Sequence, residues 1–229
     1  TKDGYIIQIN PSCLFNVDKN KLIFHSEINR SGDYYWSYDY RDDDNICLFH
    51  DDESHQTKTR VHDKDKTHPC APSFASIVSL GNNELSVTLS NEGDYFKVGS
   101  TLEIRPTIRN EIGGAFVDCK NVLMKNVTFN SIHGFGILSQ CSENIRFIGN
   151  KILPSRGRKI SCNADFLHFS CCRGHITIKG NQLKEGHDDY INIHGIHTCV
   201  SKIIDDHTLI VEFKHNCSYG FNFYKPKDK

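Results

Sequence analysis

The chain has 229 residues, 38% of them apolar, and sets 27 Lys and Arg against 28 Asp and Glu for a formal net charge of −1. That length suits one large domain, or one domain with a small insertion. The charge balance lacks the basic excess of a nucleic-acid-binding protein, and no apolar run reaches the roughly 18 residues of a membrane-spanning helix.

The chain opens on Thr-Lys-Asp-Gly without an initiator Met or a leader, and its one Met is Met124. A fragment of a longer protein is therefore expected.

Residues 1 to 99 read as a β-rich segment, expected to be a small barrel-like domain preceding or inserted in a solenoid. Tyr5-Ile-Ile-Gln-Ile, Lys21-Leu-Ile-Phe-His, Asn45-Ile-Cys-Leu-Phe and Ile77-Val-Ser-Leu are short strand-like runs between turn clusters. Leu80-Gly-Asn-Asn-Glu-Leu85 reads as a hairpin. Gly32 to Asp44 concentrates aromatic and acidic residues and reads as an aromatic β-edge, with Asp42 to Asp44 a solvated loop. Asp51 to Lys66 is polar, lacks periodicity and reads as a mobile loop.

From residue 100 an internal repeat sets in. Asn121-Val-Leu-Met-Lys-Asn-Val-Thr-Phe129, Asn144-Ile-Arg-Phe-Ile-Gly-Asn-Lys-Ile152 and His175-Ile-Thr-Ile-Lys-Gly-Asn-Gln-Leu183 align at spacings of 23 and 31 residues. A second set of strands precedes them: Gly114-Ala-Phe-Val, Gly136-Ile-Leu-Ser, Leu167-His-Phe-Ser and Ile191-Asn-Ile-His. Several short strands per coil, with coils of this length, predict a parallel β-helix over residues 100 to 200, succeeded by a further, truncated β segment over 201 to 229. The fold expected is all-β: a right-handed parallel β-helix with a small β-barrel-like insertion. Asn126, Asn150 and Asn181 are expected to form a hydrogen-bonded ladder, and the extra loop Leu153 to Ile160 to build a binding face just ahead of Asp165.

Alternation sets Leu167 and Phe169 against a core with His168 outward, and treats Ile191, Asn192 and Ile193 alike. Laying one run on the other gives an offset of 24 residues, which stacks Asp165 under Asp189 with Asp188 beside them. Carboxylates that close cannot all ionise cheaply, so one keeps its proton while another stays charged, which supplies an acid and a base for a glycosidic bond. His133, Gln140, Glu143, His168, Asn192 and His194 are candidates to line the flank and bind substrate. This chemistry calls for no cofactor and no metal.

Of the ten cysteines, Cys119, Cys141 and Cys171 or Cys172 follow short strands at similar places in the repeat, and are expected to stack as small core residues rather than pair as disulfides.

Arg105-Pro-Thr-Ile-Arg-Asn-Glu, Gly134-Phe-Gly-Ile-Leu-Ser-Gln-Cys-Ser-Glu-Asn144, Ala164-Asp-Phe-Leu-His-Phe-Ser-Cys-Cys-Arg-Gly174, Asp188-Asp-Tyr-Ile-Asn-Ile-His-Gly195 and Tyr219-Gly-Phe-Asn-Phe-Tyr-Lys-Pro-Lys-Asp together resemble glycoside hydrolase family 110. The resemblance covers residue 94 onward. It implies an exo-acting α-galactosidase that removes terminal α-1,3-linked galactose with inversion, as on blood group B and linear Galα1,3Gal glycans. It also implies a right-handed β-helix with small β-barrel domains and an extracellular or periplasmic location. The partner implied is an oligosaccharide or glycoconjugate with terminal α-galactose. The family's three catalytic aspartates fall on Asp165, Asp188 and Asp189, with Asp188 as the acid and the other two activating water. Phe166 departs from the pattern, being bulky where a small residue is expected, and so does Cys172 after Cys171. Two other readings stand beside this one. A polygalacturonase-like β-helix hydrolase would use Arg156, Arg158, Lys159 and Arg173 for a uronate, and a carbohydrate-binding β-helix would have no catalysis.

Overall fold

The computed structural model describes residues 4–34, 37–39, 45–51, 56–61, 74–89, 98–105, 111–132, 134–155, 158–215 and 223–226. All regular structure among them is β, in two compact units, Thr1–Ile108 and Arg109–Lys229.

The first unit holds β1 (Gly4–Gln8), β2 (Leu14–Asp18), β3 (Lys21–His25), β4 (Ser37–Asp39), β5 (Asn45–Asp51), β6 (Gln56–Val61), β7 (Phe74–Gly81), β8 (Glu84–Leu89) and β9 (Thr101–Arg105). They form three antiparallel sheets of order β1-β8-β7, β2-β3-β4 and β6-β5-β9. The expected hairpin at 80–85 is present: Gly81 pairs with Glu84 across Asn82 and Asn83, both at positive φ. Asn accepts that conformation more readily than most residues, which suits a two-residue turn. Lys19-Asn20 closes β2 onto β3 in the same way. The core is Ile9, Leu22, Ile77, Leu85 and Val87. The loop expected over 51–66 is corrected at Gln56–Val61, which pairs with β5 as a strand: Thr57, Thr59 and Val61 are β-formers that outweigh the polar composition. Asp42 to Asp44 and most of the aromatic stretch lie outside the described residues. Of that stretch, Tyr34 stacks on His25 with ring centroids 4.1 Å apart.

The second unit holds β10 (Ile112–Val117), β11 (Lys120–Lys125), β12 (Thr128–Asn130), β13 (Phe135–Gln140), β14 (Glu143–Ile148), β15 (Lys151–Leu153), β16 (Leu167–Ser170), β17 (Arg173–Lys179), β18 (Gln182–Leu183), β19 (Ile191–His194), β20 (Thr198–Asp205) and β21 (Thr208–Phe213). The chain visits three parallel sheets in turn and then returns to the first. Their orders are β10-β13-β16-β19, β11-β14-β17 and β12-β15-β18. β20 and β21 form a separate antiparallel hairpin.

The corners between sheets explain why this sequence turns where it does. Asp118, Cys141 and Cys171 have φ near 50°, Asn121, Asn144 and Gly174 lie at 55° to 67°, and Asn126, Gly149 and Gly180 at 56° to 65°. Each pass thus bends at left-handed positions filled mostly by Asn, Asp and Gly, the residues that tolerate them. This shifts two expectations by one residue. Asn126 occupies a corner in line with Gly149, so the ladder is formed by Asn150 and Asn181, with Asn150 Oδ1 receiving Val127 N at 3.0 Å and Asn181 Oδ1 receiving Asn150 Nδ2 at 2.9 Å. Cys141 and Cys171 likewise fill corners, while Cys119 and Cys172 pack against the core in line with Ser142. Cys13, Cys119, Cys141, Cys162, Cys171, Cys172 and Cys199 are free thiols.

Inside the passes, Val122, Met124, Ile137, Ile145, Phe147, Ile152, Leu167 and Phe169 form one buried cluster. Phe147 links Phe116 on one pass to Phe169 on another, with centroids 5.9 and 5.6 Å away. Ile191 and Ile193, expected to be buried with Leu167 and Phe169, are 45% and 57% exposed. They hold the predicted register, but β19 is the last strand of its sheet among the described residues, so no further strand covers them.

Candidate active site

Two segments leading into neighbouring strands build the site. Asp165 precedes β16, and Asp188 and Asp189 precede β19. Leu167 pairs with Ile191, which is the 24-residue offset expected from alternation, and upstream of the pair Phe166 N donates to Asp189 O at 2.9 Å. On the other side Gly136 N donates to Asp165 O at 2.8 Å. A Cβ on Gly136 would stand 2.2 Å from Phe166 O, so only glycine lets β13 come this close to the Asp165–Phe166 backbone. One oxygen from each of Asp165, Asp188 and Asp189 lies within 4.8 Å of the others. Acidic groups commonly gather without a cation, so their proximity alone does not make a metal centre.

The three carboxylates differ in surroundings. Asp165 is buried at 4% exposure, Asp188 is half-buried and Asp189 is exposed. Asp165 Oδ2 meets His168 Nδ1 at 2.6 Å and accepts from Asn192 Nδ2 at 3.0 Å. His168 Nε2 lies 2.9 Å from His194 Nε2, and His194 Nδ1 donates to Gly195 O at 2.9 Å. His168 is further held by the edge of the Phe135 ring, with centroids 5.1 Å apart at 74°. Asp188 Oδ1 accepts from Asp189 N at 3.2 Å.

The structure therefore brings together Asp165, Asp188, Asp189, His168, Asn192 and His194. Gln140 lies in the same row as Ser170 and His194, at the end of β13. Glu143 stands apart from that row: it opens the second sheet and pairs with Lys120 at 3.4 Å. His133 lies outside the described residues. Phe166 is fully buried and stacks on Tyr190 with centroids 5.1 Å apart at 24°, in space left by Gly186, where a Cβ would come within 2.0 Å of the ring. Its bulk therefore points into the core and not into the carboxylate cluster.

Sequence reasoning missed Cys162 and Phe135. Cys162 is buried, pairs with Ile132 and Gly186 on adjacent passes, and directs its thiol at Gly134 O and Asp165 O. Burial pushes that thiol up to about 11, and the charges of Asp165 and Asp188 add to the effect. A thiol held protonated in this way is no nucleophile at neutral pH. Its position off the strands left no periodic signal to find.

No known family model matches the chain. Individual proteins do. It is 37% identical over 130 residues to α-1,3-galactosidase A of Bacteroides fragilis, covering 56% of this chain and 22% of that protein. It is 34% identical over 161 residues to α-1,3-galactosidase A of Akkermansia muciniphila, covering 69% and 27%. It is 35% identical over 132 residues to α-1,3-galactosidase B of Phocaeicola vulgatus, covering 56% and 22%. The chain thus spans only 22% to 27% of the length of these relatives.

Proposed function

Because more than half of the chain resembles the α-1,3-galactosidases of glycoside hydrolase family 110, we propose that its second unit carries the catalytic centre of an exo-acting α-galactosidase. The substrate is an oligosaccharide or glycoconjugate with terminal α-1,3-linked galactose, as on blood group B or linear Galα1,3Gal glycans. The three parallel sheets wind as a right-handed parallel β-helix, and the antiparallel first unit is a small barrel-like module.

The observation that supports this reading is the convergence of Asp165, Asp188 and Asp189 from two adjacent passes. Asp188 protonates the glycosidic oxygen as its bond to the anomeric carbon breaks. Asp165 and Asp189 orient a water on the opposite face of the sugar and take its proton as it attacks, so the product is inverted. His168 and Asn192 order Asp165, while His194, Gln140 and His133 flank the sugar.

Inverting enzymes usually separate the acid and base carboxyl groups by about 6.5 to 9.5 Å, so that a water fits between, and retaining ones by about 5 to 5.5 Å. Proton NMR of the sugar first released from an aryl α-galactoside tests the course directly: β-galactose supports inversion, and α-galactose would require an aspartate nucleophile and overturn it. Hydrolysis of galacturonan instead would point to the polygalacturonase-like reading, and hydrolysis of neither to a binding module. Arg173, one of the cations that reading needs, already donates to Phe223 O at 2.9 Å.

A further inference from the structure

The chain of hydrogen bonds from Asp165 through His168 to His194 holds one proton more than neutral rings beside an ionised carboxylate can supply. Gly195 O has no proton to give, so His194 Nδ1 carries one. A second lies between His168 Nε2 and His194 Nε2, and a third between His168 Nδ1 and Asp165 Oδ2. Two neutral imidazoles bring only two. The third makes an imidazolium of His168 or of His194, with Asp165 a carboxylate, or leaves both rings neutral beside a carboxylic acid; of the two rings only His168 touches the carboxylate.

Three observations favour the ion pair. The contact of 2.6 Å between His168 Nδ1 and Asp165 Oδ2 is just under the range of about 2.7 to 2.9 Å for charge-assisted N–H···O bonds and shorter than neutral ones. Asn192 Nδ2 donates to the same oxygen, as it would to a carboxylate. The cation would also face a carboxylate that has two further carboxylates within 4.8 Å of it. Among the described residues, Leu138 and Asn192 flank His168 in register and Phe135 meets its ring edge-on, none of them charged.

We infer that His168 is held as an imidazolium between Asp165 and His194, and that through this pair it fixes Asp165 as the permanently ionised member of the trio. His168 is then a positioning residue that acts through Asp165, not a sugar ligand. His194 serves as its proton acceptor, with its own ring neutral. Asp165 is the member of the trio whose carboxylate meets a histidine ring. Resting on the proposed glycosidase reading, this explains why the buried carboxylate is a base while the half-buried Asp188 serves as the acid.

The test is NMR on the 229-residue chain and requires no turnover. Nitrogen-15 spectra of the histidine rings at neutral pH should show both nitrogens of His168 protonated, and only Nδ1 of His194 protonated. A singly protonated His168 in the wild type overturns the inference, whatever any variant does. In Asp165→Asn, His168 should revert to a ring with one protonated nitrogen, and retention of both protons would show that Asp165 does not hold the charge. His168→Gln keeps an amide donor for Asp165 but removes the cation. A carbon-13 titration of the Asp165 carboxyl should then shift its midpoint upward, since the cation that favoured the carboxylate is gone. An unmoved midpoint would leave His168 with a purely structural role. Failure of the chain to release galactose would sink the glycosidase reading but leave these spectra to decide the ion pair by themselves.

Discussion

Phe166 N donates to Asp189 O at 2.9 Å, so the residue after one carboxylate is tied to the backbone of another. This bond sets Asp165 and Asp189 side by side across adjacent passes, and it depends on Phe166 being anchored in the core. Anything that disturbs the core beneath Phe166 or the β13 strand beside it should therefore disturb the trio.

Leu167 is the first test of that core. It is 1% exposed and lies between Ile137 and Ile191 in the sheet register. Leu167→Ala removes buried methyl groups and leaves a cavity, at an expected cost of about 2 to 5 kcal/mol in chemical denaturation. A change of less than about 0.5 kcal/mol, the range of an uninvolved surface site, would show that this strand does not face the core.

Gly136→Ala tests the close approach from the other side. The new methyl would stand 2.2 Å from Phe166 O, a backbone atom that moves only with the Asp165–Phe166 segment. Overpacking of this kind costs about 1 to 3 kcal/mol, and the carboxylate cluster should be displaced with it. A variant of unchanged stability with an unchanged Asp165 carboxyl signal would contradict the described approach.

The 24-residue offset was legible because Leu167-His168-Phe169 and Ile191-Asn192-Ile193 alternate in the same phase, and alternation is a property of the sequence alone. The three parallel sheets were legible from the repeat for the same reason. Where the corners fall was not: Asn126 and Asn150 look equivalent by composition, but one sits at a left-handed corner and the other one residue after it. Nor could the contact between His168 and His194 be read, because it depends on ring orientation as well as on the Leu138–His168–Asn192 register. The exposure of Ile191 and Ile193 was missed because burial depends on what covers a strand as well as on which way its residues point.

Cys162 should make the folded chain sensitive to alkali. Its thiol is raised from 9.0 to about 11, chiefly by burial. A raised value means that the folded state favours the protonated thiol, so this contribution is fully present below about pH 9 and is lost as pH rises through about 11. The loss amounts to about 3 kcal/mol for a shift of this size. Wild type should therefore lose more stability than Cys162→Ala between these limits, and parallel pH–stability curves would remove the assigned role. At neutral pH the same thiol should resist alkylation in the folded chain while Cys199, which is exposed, reacts.

Leaving groups of graded acidity separate the roles of the three aspartates. Asp188→Asn keeps nearly the same shape and removes the proton donor, so glycosides with poor leaving groups should lose most of their hydrolysis. Aryl α-galactosides whose leaving groups depart without protonation should lose far less. Asp165→Asn and Asp189→Asn remove activation of the water, which every substrate needs, and their losses should be similar across the series. General acid or base groups contribute about 100- to 10,000-fold each, so kcat/KM measured over such a series resolves the difference. If Asp188→Asn lowers all substrates equally while Asp165→Asn or Asp189→Asn shows the leaving-group dependence, the acid is a different aspartate. Asp165 would be the most telling exchange, because an Asp165 that donates a proton cannot also be the fixed anion facing His168.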